Sequence, residues 1–223
     1  MTRSVTNRCS SPQKGRVSAD ACVMEHPLKV FRYCPACGSE RFGVNDRYSK
    51  RCGRCGFVYY ANPKAATVAV IVNGRGEILV CRRADDPAKG TLDLPGGFTD
   101  IGETAEEGVR REVREETGLT VTETEFLFSL PNVYLFSGME VHTMDLFFLC
   151  RVDDGVPPSA HDDAAEAMFV PLSELDVPAF GLRSVREGVA RIVAGGLGRL
   201  LPGYRGNMSS APPSAEAISE NEL

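Results

Sequence analysis

The chain has 223 residues, of which 43% are hydrophobic, and its formal net charge at pH 7 is −5. This length suits one domain of ordinary size with a small appendage. The acidic balance makes nucleic acid an unlikely partner, because a dedicated nucleic-acid binder has a basic surface. No apolar run approaches the length of a membrane span or begins the chain as a signal segment. We therefore expect a cytoplasmic protein with no membrane partner.

The first 26 residues are polar and rich in serine, with four basic residues before the first acidic one. A basic targeting segment is one interpretation of this pattern. We favour a disordered tail over residues 1–26, or a start placed too early, because Met24 opens a chain that reaches the first cysteine motif ten residues later.

Two Cys-x-x-Cys motifs follow, and 14 residues separate them. Paired motifs at this spacing are typical of a tetrahedral zinc site, whereas a redox site needs only one of them. We predict a zinc ribbon over residues 31–60, with structural Zn²⁺ held by Cys34, Cys37, Cys52 and Cys55. Such a short segment cannot bury a sizeable core, so the metal supplies much of its folding free energy.

The role of this ribbon is open between docking on the following domain, pairing two subunits as a homodimer, and binding nucleic acid. Lys50, Arg51 and Arg54 form a small basic patch that favours nucleic acid. The acidic balance of the whole chain makes nucleic acid the least favoured of the three.

The main domain is predicted over residues 64–200. Residues 66–72 and 77–83 are predicted to be strands of a hairpin, because an Asn-Gly-Arg-Gly turn joins them. Branched and aromatic residues indicate further strands, and an apolar periodicity indicates a closing helix. The further strands are predicted at 121–130, 133–136, 141–152 and 168–171, the helix at 184–194, and a disordered tail at 202–223.

The most informative segment is GFTDIGETAEEGVRREVREETGL, residues 97–119. Thr104 followed by Glu107 predicts a capping box at the start of a helix, and Gly118 predicts its end. Because positions i, i+3 and i+4 share one helix face, Glu112, Glu115 and Glu116 are expected side by side.

Three neighbouring carboxylates repel one another unless a cation lies among them. Oxygen ligands of this kind suit Mg²⁺ or Mn²⁺, which also take phosphate oxygens from a substrate. The preceding Pro-Gly-Gly lets the backbone turn and bring a carbonyl near the metal. A solvated helix with Glu–Arg pairs, such as Arg111 with Glu115, is the alternative, but it does not explain the glycines.

This segment resembles the Nudix box, G-x5-E-x7-R-E-U-x-E-E-x-G-U, where U is aliphatic. All nine fixed positions are filled, by Gly97, Glu103, Arg111, Glu112, Val113, Glu115, Glu116, Gly118 and Leu119. The resemblance implies an α/β fold, the Nudix α/β/α sandwich with a mixed sheet. It also implies a metal-dependent hydrolase that cleaves the diphosphate of a nucleoside diphosphate linked to another moiety, such as ADP-ribose, NAD(H), FAD or a nucleotide sugar.

The same resemblance implies the site. Mg²⁺ or Mn²⁺ would lie on the three box glutamates and on the backbone carbonyl of Gly97. Glu115 or Glu116 would also accept the proton of the attacking water, while Arg111 and Glu103 complete the catalytic set.

A zinc ribbon followed by a Nudix domain is similar to the NADH pyrophosphatase branch. That branch has an S-Q-P-W-P-F-P signature after the box, of which only Ser129 and Pro131 match here. The missing residues predict altered substrate selectivity. Glu166 matches a later glutamate of that branch, and is either a fourth acidic metal ligand or a solvated loop carboxylate.

Substrate contacts are less clearly marked. Tyr134 and Phe136 could stack on a base, and either Arg82 or Arg83 could reach a phosphate, since strand alternation leaves only one of them facing the site. The complete set of box carboxylates favours an enzyme with a small nucleoside diphosphate substrate. The alternative is a non-catalytic zinc-ribbon protein that senses a nucleotide or binds nucleic acid.

Overall fold

The computed structural model describes residues 25–153, 155–196 and 198. The chain divides into two compact units between Ala61 and Asn62. These are called the first and second unit below. The tails predicted at residues 1–26 and 202–223 lie outside the described residues, apart from residues 25 and 26. In the part of the chain that is described, no helix is long and apolar enough to cross a membrane.

The first unit contains a three-stranded antiparallel sheet. Its strands are β1 (Phe42–Val44), β2 (Ser49–Cys52) and β3 (Val58–Tyr60), with β2 in the middle. Its core cluster is small, with Cys34, Phe42 and Cys52 buried and Phe31 and Cys37 packed against them. Three of these five residues are the predicted zinc ligands, so little apolar packing remains once they are set aside.

The second unit contains two three-stranded sheets. In the first sheet, β8 (Met139–Val152) lies between β4 (Lys64–Ile71) and β7 (Val121–Phe136), parallel to the former and antiparallel to the latter. In the second sheet, β5 (Glu77–Arg83) lies between β6 (Leu92–Asp93) and β9 (Ala164–Pro171), antiparallel to both. The helices are α1 (Ala105–Thr117) and α2 (Arg183–Gly195), and short 3-10 turns cover Leu172–Glu174 and Val177–Ala179.

The two helices cover opposite faces of the sheets. Alternate residues of β4 point to opposite sides, so Ala69 and Ile71 pack with Val109 and Val113 of α1. The intervening β4 residues Val68 and Val70 face the other side and pack in a second cluster with Phe147 and with Val185 and Val189 of α2. The predicted α/β/α sandwich with a mixed sheet is therefore confirmed.

The hairpin predicted at residues 66–83 forms only at its turn, where the Asn73 N–H donates to the Glu77 carbonyl (3.0 Å). Both strands exist, but only one bridge, between Val72 and Ile78, joins β4 to β5. The strands instead diverge into different sheets, β4 along β8 and β5 between β6 and β9. Long-range partners thus override the local turn signal.

The two strands predicted at 121–130 and 133–136 are one continuous strand, β7, which runs through Pro131. Proline lacks an N–H and is tolerated in a sheet where no ladder bond is needed. Because β7 is an edge strand, this condition is met. The hairpin of β7 and β8 also extends beyond β4, whose first residue, Lys64, pairs with Thr143.

Candidate active site

A short segment, residues 95–99, carries the chain into α1 along the free edge of β4. It forms three backbone hydrogen bonds there, Ala69 N–H to the Pro95 carbonyl (2.7 Å), Thr67 N–H to the Gly97 carbonyl (2.8 Å) and Thr99 N–H to the Ala65 carbonyl (3.2 Å). The Gly97 carbonyl, predicted to be a metal ligand, therefore already accepts one hydrogen bond. A carbonyl oxygen has a second lone pair, which remains for a cation.

The two glycines of this segment are required by close packing. A Cβ atom on Gly96 would lie 2.0 Å from the Thr67 carbonyl oxygen, and one on Gly97 would lie 2.6 Å from Oε1 of Glu112. Both distances are far below a van der Waals contact. The Glu112 carboxylate can therefore lie against the backbone only because no side chain is present at Gly97.

Helix α1 is capped as the sequence predicts. The Glu107 N–H donates to Oγ1 of Thr104 (3.2 Å), and the Thr104 N–H donates to the Glu107 carboxylate (2.8 Å). At the other end Gly118 is left-handed, with φ of 69°, and its N–H donates to the Arg114 carbonyl. The capping box and the glycine stop are both confirmed.

Arg111 binds three carboxylates of the box at once. Its guanidinium donates to both oxygens of Glu103 (2.8 and 3.0 Å), to Oε1 of Glu112 (2.9 Å) and to Oε2 of Glu115 (2.9 Å). A further bond to the Phe98 carbonyl (2.9 Å) ties the side chain to the entry segment. Hydrogen bonding to Arg111 lowers the pKa of Glu103. Helix spacing indicated the pair with Glu115 but gave no sign of the pairs with Glu103 and Glu112.

Glu116 lies apart from Arg111 and accepts a hydrogen bond from the Gly96 N–H (3.0 Å). Burial raises the pKa of Glu116 to about 8, and repulsion from Asp93, Glu112 and Asp163 adds to this, against the Gly96 hydrogen bond. Burial also raises the pKa of Glu112, although Arg111 opposes that shift. Buried carboxylates with raised pKa values gain most from a nearby cation.

Three further observations fit a divalent cation at this position. The box glutamates occupy the C-terminal half of α1, where the helix dipole is negative and favours positive charge. Oγ1 of Thr67, a buried hydroxyl on the α1 side of β4, has no hydrogen-bond partner in the described structure. The donor set consists of oxygen atoms, as Mg²⁺ and Mn²⁺ prefer. The residues present therefore fit the predicted metal, which would join Arg111 in neutralising Glu112 and Glu115.

Sequence reasoning missed two sources of negative charge at the site, β6 and the loop before β9. Buried Asp93 forms an ion pair with Arg83 (Oδ2 to Nη1, 2.7 Å), and its position just before the Pro-Gly-Gly was the available signal. Asp162 and Asp163 repel Glu112 and Glu116 respectively. Their loop is held against the end of α1 by bonds from the His161 N–H to the Glu116 carbonyl (2.9 Å) and from the Ser159 N–H to the Thr117 carbonyl (3.0 Å).

The structure pairs two predicted site residues with each other. Arg82 donates from Nε to Oε2 of Glu166 at 2.8 Å, directly across β5 and β9. Arg83 bonds Asp93 and the Pro87 carbonyl. The guanidinium groups predicted to reach a phosphate are therefore engaged by protein groups, and the predicted fourth acidic ligand, Glu166, faces a cation.

The predicted aromatic contacts lie on the β7–β8 hairpin. Phe136 is exposed at its tip and pairs with Met139, and Tyr134 pairs with Val141. Ser129 is level with Thr67, since both are in register with Leu146. At about 3.4 Å per residue, Phe136 is about 24 Å farther along the strand. Phe136 therefore lies far along the hairpin from Gly97 and the box glutamates.

The first unit contains a second candidate metal centre. The Sγ atoms of Cys34 and Cys55 are 3.7 Å apart, as are those of Cys37 and Cys52, and all four lie within 4.8 Å of one another. A tetrahedron with Zn–S bonds of about 2.3 Å has edges of about 3.8 Å. Hydrogen bonds from the backbone N–H groups of Cys55 and Arg54 lower the pKa of Cys52, whereas the neighbouring thiols raise the pKa of Cys55. The cluster is thus compatible with the predicted zinc ribbon.

Comparison with known proteins places this site in a family. The NUDIX domain family matches residues 62–191. The chain belongs to the Nudix family. The match includes β4, the entry segment, the box and α2, so the predicted Nudix hydrolase class is confirmed at the level of the family.

Individual relatives agree with this assignment. The chain is 39% identical over 123 residues to an ADP-ribose pyrophosphatase of Methanocaldococcus jannaschii, covering 54% of this chain and 69% of that protein. It is 28% identical over 151 residues to the NAD-capped RNA hydrolase NudC of Vibrio parahaemolyticus, covering 67% of this chain and 55% of that protein. The chain thus spans only about half the length of the latter. The similarity to NudC confirms the predicted resemblance to the zinc-ribbon branch.

A solved structure shows the same fold. The crystal structure of a NUDIX hydrolase from Nitrosomonas europaea aligns with a TM-score of 0.58 and 23% identity, covering 74% of this chain and 91% of that one. At this identity the likeness concerns the fold alone.

Proposed function

We propose that this Nudix chain is a metal-dependent pyrophosphohydrolase that cleaves the diphosphate of a nucleoside diphosphate linked to another moiety. The observation that carries the proposal is the buried acidic face of α1, where Glu112 and Glu116 lie against Gly96 and Gly97 with raised pKa values. A merely solvated helix face would not bury carboxylates in this way.

Mg²⁺ or Mn²⁺ would be held by Glu112, Glu115, Glu116 and the Gly97 carbonyl. When bound, it would neutralise charge on the diphosphate and lower the pKa of a bound water. Asp93 and the Asp162–Asp163 loop add negative charge that strengthens cation binding. Glu166 is already paired with Arg82 in the structure. We therefore keep Glu166 as a metal ligand only if that ion pair opens when the metal binds.

The remaining box residues position these groups. Arg111 restricts Glu112 and Glu115 to one orientation, and Glu103 in turn orients Arg111 through a two-pronged ion pair. Glu115 is 47% exposed and can meet solvent water, whereas Glu116 is fixed by the Gly96 N–H. Either glutamate could accept the proton of the attacking water, and separate Gln variants distinguish them.

Within this class, we propose ADP-ribose, FAD or a nucleotide sugar as substrates at least as good as NADH. The segment that aligns with the NADH pyrophosphatase signature lies in β7, where Asn132 stands at the position of the signature's tryptophan and is buried. The similarity to an ADP-ribose pyrophosphatase favours ADP-ribose. The similarity to NudC makes NAD-capped RNA the second candidate.

For the first unit we propose structural zinc on the four cysteines, since a fully thiolate shell leaves no open position for chemistry. The boundaries 31–60 and 64–200, and a homodimer, stay predictions.

A substrate panel tests the proposal. The values of kcat/KM are measured with Mg²⁺ for ADP-ribose, NADH, FAD, a nucleotide sugar and an NAD-capped oligonucleotide, because selectivity is a ratio of these constants. We expect ADP-ribose turnover that Glu115→Gln reduces by two or more orders of magnitude. The matched control Glu106→Gln, an exposed residue on the same helix, should retain it.

Two outcomes contradict the proposal. A preference for NADH of more than about 100-fold, about 2.7 kcal/mol, would overturn the substrate assignment. Tight ADP-ribose binding without turnover of any panel member would instead support the non-catalytic sensor.

A further inference from the structure

The acidic net charge of the chain conceals two units of opposite sign. Residues 25–61 contain seven basic and three acidic residues, a net charge of +4, whereas residues 62–196 contain 12 basic and 23 acidic residues, a net charge of −11. Zinc with four thiolates would carry −2 and lower the first value to +2. The first unit remains basic, and charge asymmetry of this kind indicates a polyanionic partner.

The described arginines of the first unit are also unpaired, although Lys29 pairs with Glu25 and Lys50 donates to the Phe31 carbonyl. In the second unit six arginines form ion pairs with carboxylates, namely Arg75, Arg82, Arg83, Arg111, Arg151 and Arg191. In the first unit five exposed arginines have no ion-pair partner among the described residues, namely Arg32, Arg41, Arg47, Arg51 and Arg54. Exposed guanidinium groups without a carboxylate remain available to phosphate oxygens.

Aromatic rings share one side of the first unit's sheet. Lys50 of β2 lies opposite Tyr59 of β3, and alternation along the strands puts Tyr48 and Phe57 on the same side. Tyr48 is 52% exposed, Tyr59 42% and Phe57 37%. These three rings are called the aromatic face below.

The rings of the aromatic face are arranged for stacking. Phe57 and Tyr59 stack on each other, with centroids 6.5 Å apart and planes at 28°. The guanidinium of Arg47 lies 5.3 Å from the centroid of the Tyr48 ring. Tyr33 and Tyr60 add two more exposed rings to this small unit. Tyr59 also contacts Phe31 of the core cluster, with ring centroids 5.9 Å apart, so packing partly holds it, whereas Tyr48 and Phe57 lie outside that cluster.

We propose that the first unit binds single-stranded nucleic acid, with bases stacking on the aromatic face and phosphates contacting the unpaired arginines. Stacking platforms combined with positive charge are how proteins hold single strands, because every base has a π face. An acidic peptide would use the arginines but not the rings, and a duplex keeps its bases stacked away from them. This inference does not depend on the proposed hydrolysis.

A direct binding measurement tests the proposal on the full chain. The probe is a fluorescein-labelled 12-nucleotide RNA with a 5′-hydroxyl, so no cleavable diphosphate is present and failed hydrolysis cannot be mistaken for failed binding. Anisotropy is measured without Mg²⁺ between 50 and 200 mM salt. We expect affinity to fall with salt with a logarithmic slope of about −0.7 per neutralised phosphate. A duplex of the same sequence should bind more weakly, and equal or tighter duplex binding would overturn the stacking model.

Substitutions then separate the rings from the charges. Tyr48→Ala should weaken binding about fivefold or more, and Tyr48→Phe should restore it. Arg47→Ser removes the guanidinium beside Tyr48 and should reduce the salt slope by about 0.7, as expected for one phosphate contact. Arg114→Ser, an exposed arginine of α1, is the matched control and should change neither quantity.

The proposal fails if Tyr48→Ala binds RNA like the wild type while zinc content and circular dichroism are unchanged. It also fails if the RNA does not bind. Reversible self-association at low salt would then indicate that the basic first unit binds the acidic second unit of another copy.

Discussion

The two units of this chain differ in the size and composition of their cores. The first unit has a core of three buried residues, two of them cysteines of the metal cluster. The second has two larger clusters, one under each helix, built from branched and aromatic side chains. A small sheet cannot bury enough apolar area to offset its conformational entropy, so we expect the first unit to fold with the proposed zinc, whereas the sandwich has its own core. The structural metal and the catalytic metal are therefore expected to act on separate parts of the chain.

The units also differ in how they use arginine. In the second unit Arg111 is surrounded by carboxylates and orders them, so its charge is neutralised by groups of the protein itself. In the first unit Arg51 and its exposed neighbours have no carboxylate partner among the described residues. Charge that is internally paired organises a site, while unpaired charge remains available to a partner.

Loss of the zinc proposed for the first unit should have the largest effect and should be confined to that unit. Cys34→Ser deletes one of four thiolates, so residues 25–61 should lose their fold, because the metal supplies most of its stability. Zinc analysis and hydrogen exchange on the full chain measure this, and exchange in residues 62–196 should not change. Cys150→Ala, which alters a buried cysteine of the second unit, should keep the zinc. Cooperative unfolding of both units after zinc loss would contradict this independence.

In the second unit, Glu116→Gln should reduce kcat by two or more orders of magnitude and yet stabilise the metal-free protein. The folded pKa of about 8 lies above the ordinary value of 4.5, so the carboxyl favours folding when protonated, and this contribution is lost as pH rises through about 8. An amide does not ionise. Thermal melts without metal at pH 9 should therefore give a higher Tm for the variant, and an unchanged or lower Tm would contradict the burial argument.

The same carboxyl should make metal affinity depend on pH. Below pH 8 a cation must displace the proton of Glu116, so apparent Mg²⁺ affinity should rise by up to about tenfold per pH unit and level off above pH 8. Calorimetric titration at pH 6, 7, 8 and 9 measures this dependence. The Glu116→Gln variant serves as the control and should lose most of it. A flat profile in the wild type would show that Glu116 is already ionised without metal.

The smallest effect is expected at the start of α1. Thr104→Ala removes a side-chain acceptor from the capping box and should lower the free energy of unfolding of the second unit by about 1 kcal/mol. Urea melts followed through the second unit measure it. Thr104→Ser retains the acceptor and should restore stability, whereas equal losses in both variants would point to packing rather than capping.

Local features of the site were predictable because they depend on neighbours in sequence. Thr104, Glu107 and Gly118 cap α1 through contacts three or four residues apart, which spacing alone reveals. The cysteine motifs are equally local, and their four sulfur atoms converge as predicted. Contacts across long loops were not predictable. The Arg82–Glu166 pair joins residues 84 positions apart, and nothing near either residue indicates the register of β5 with β9.

The sequence by itself determined the box, the cysteine cluster and the α/β class, because the chemistry of ligands and the periodicity of helices and strands are written at short range. Tertiary structure alone decided which charges meet. It buried Glu116 and brought Asp93 and Asp163 to it. It also brought the Arg111 guanidinium into hydrogen-bonding contact with Glu103 and Glu112. Burial and long-range pairing depend on how the sheets and loops pack around α1, and the pKa of a carboxylate follows from that environment rather than from its position in the chain.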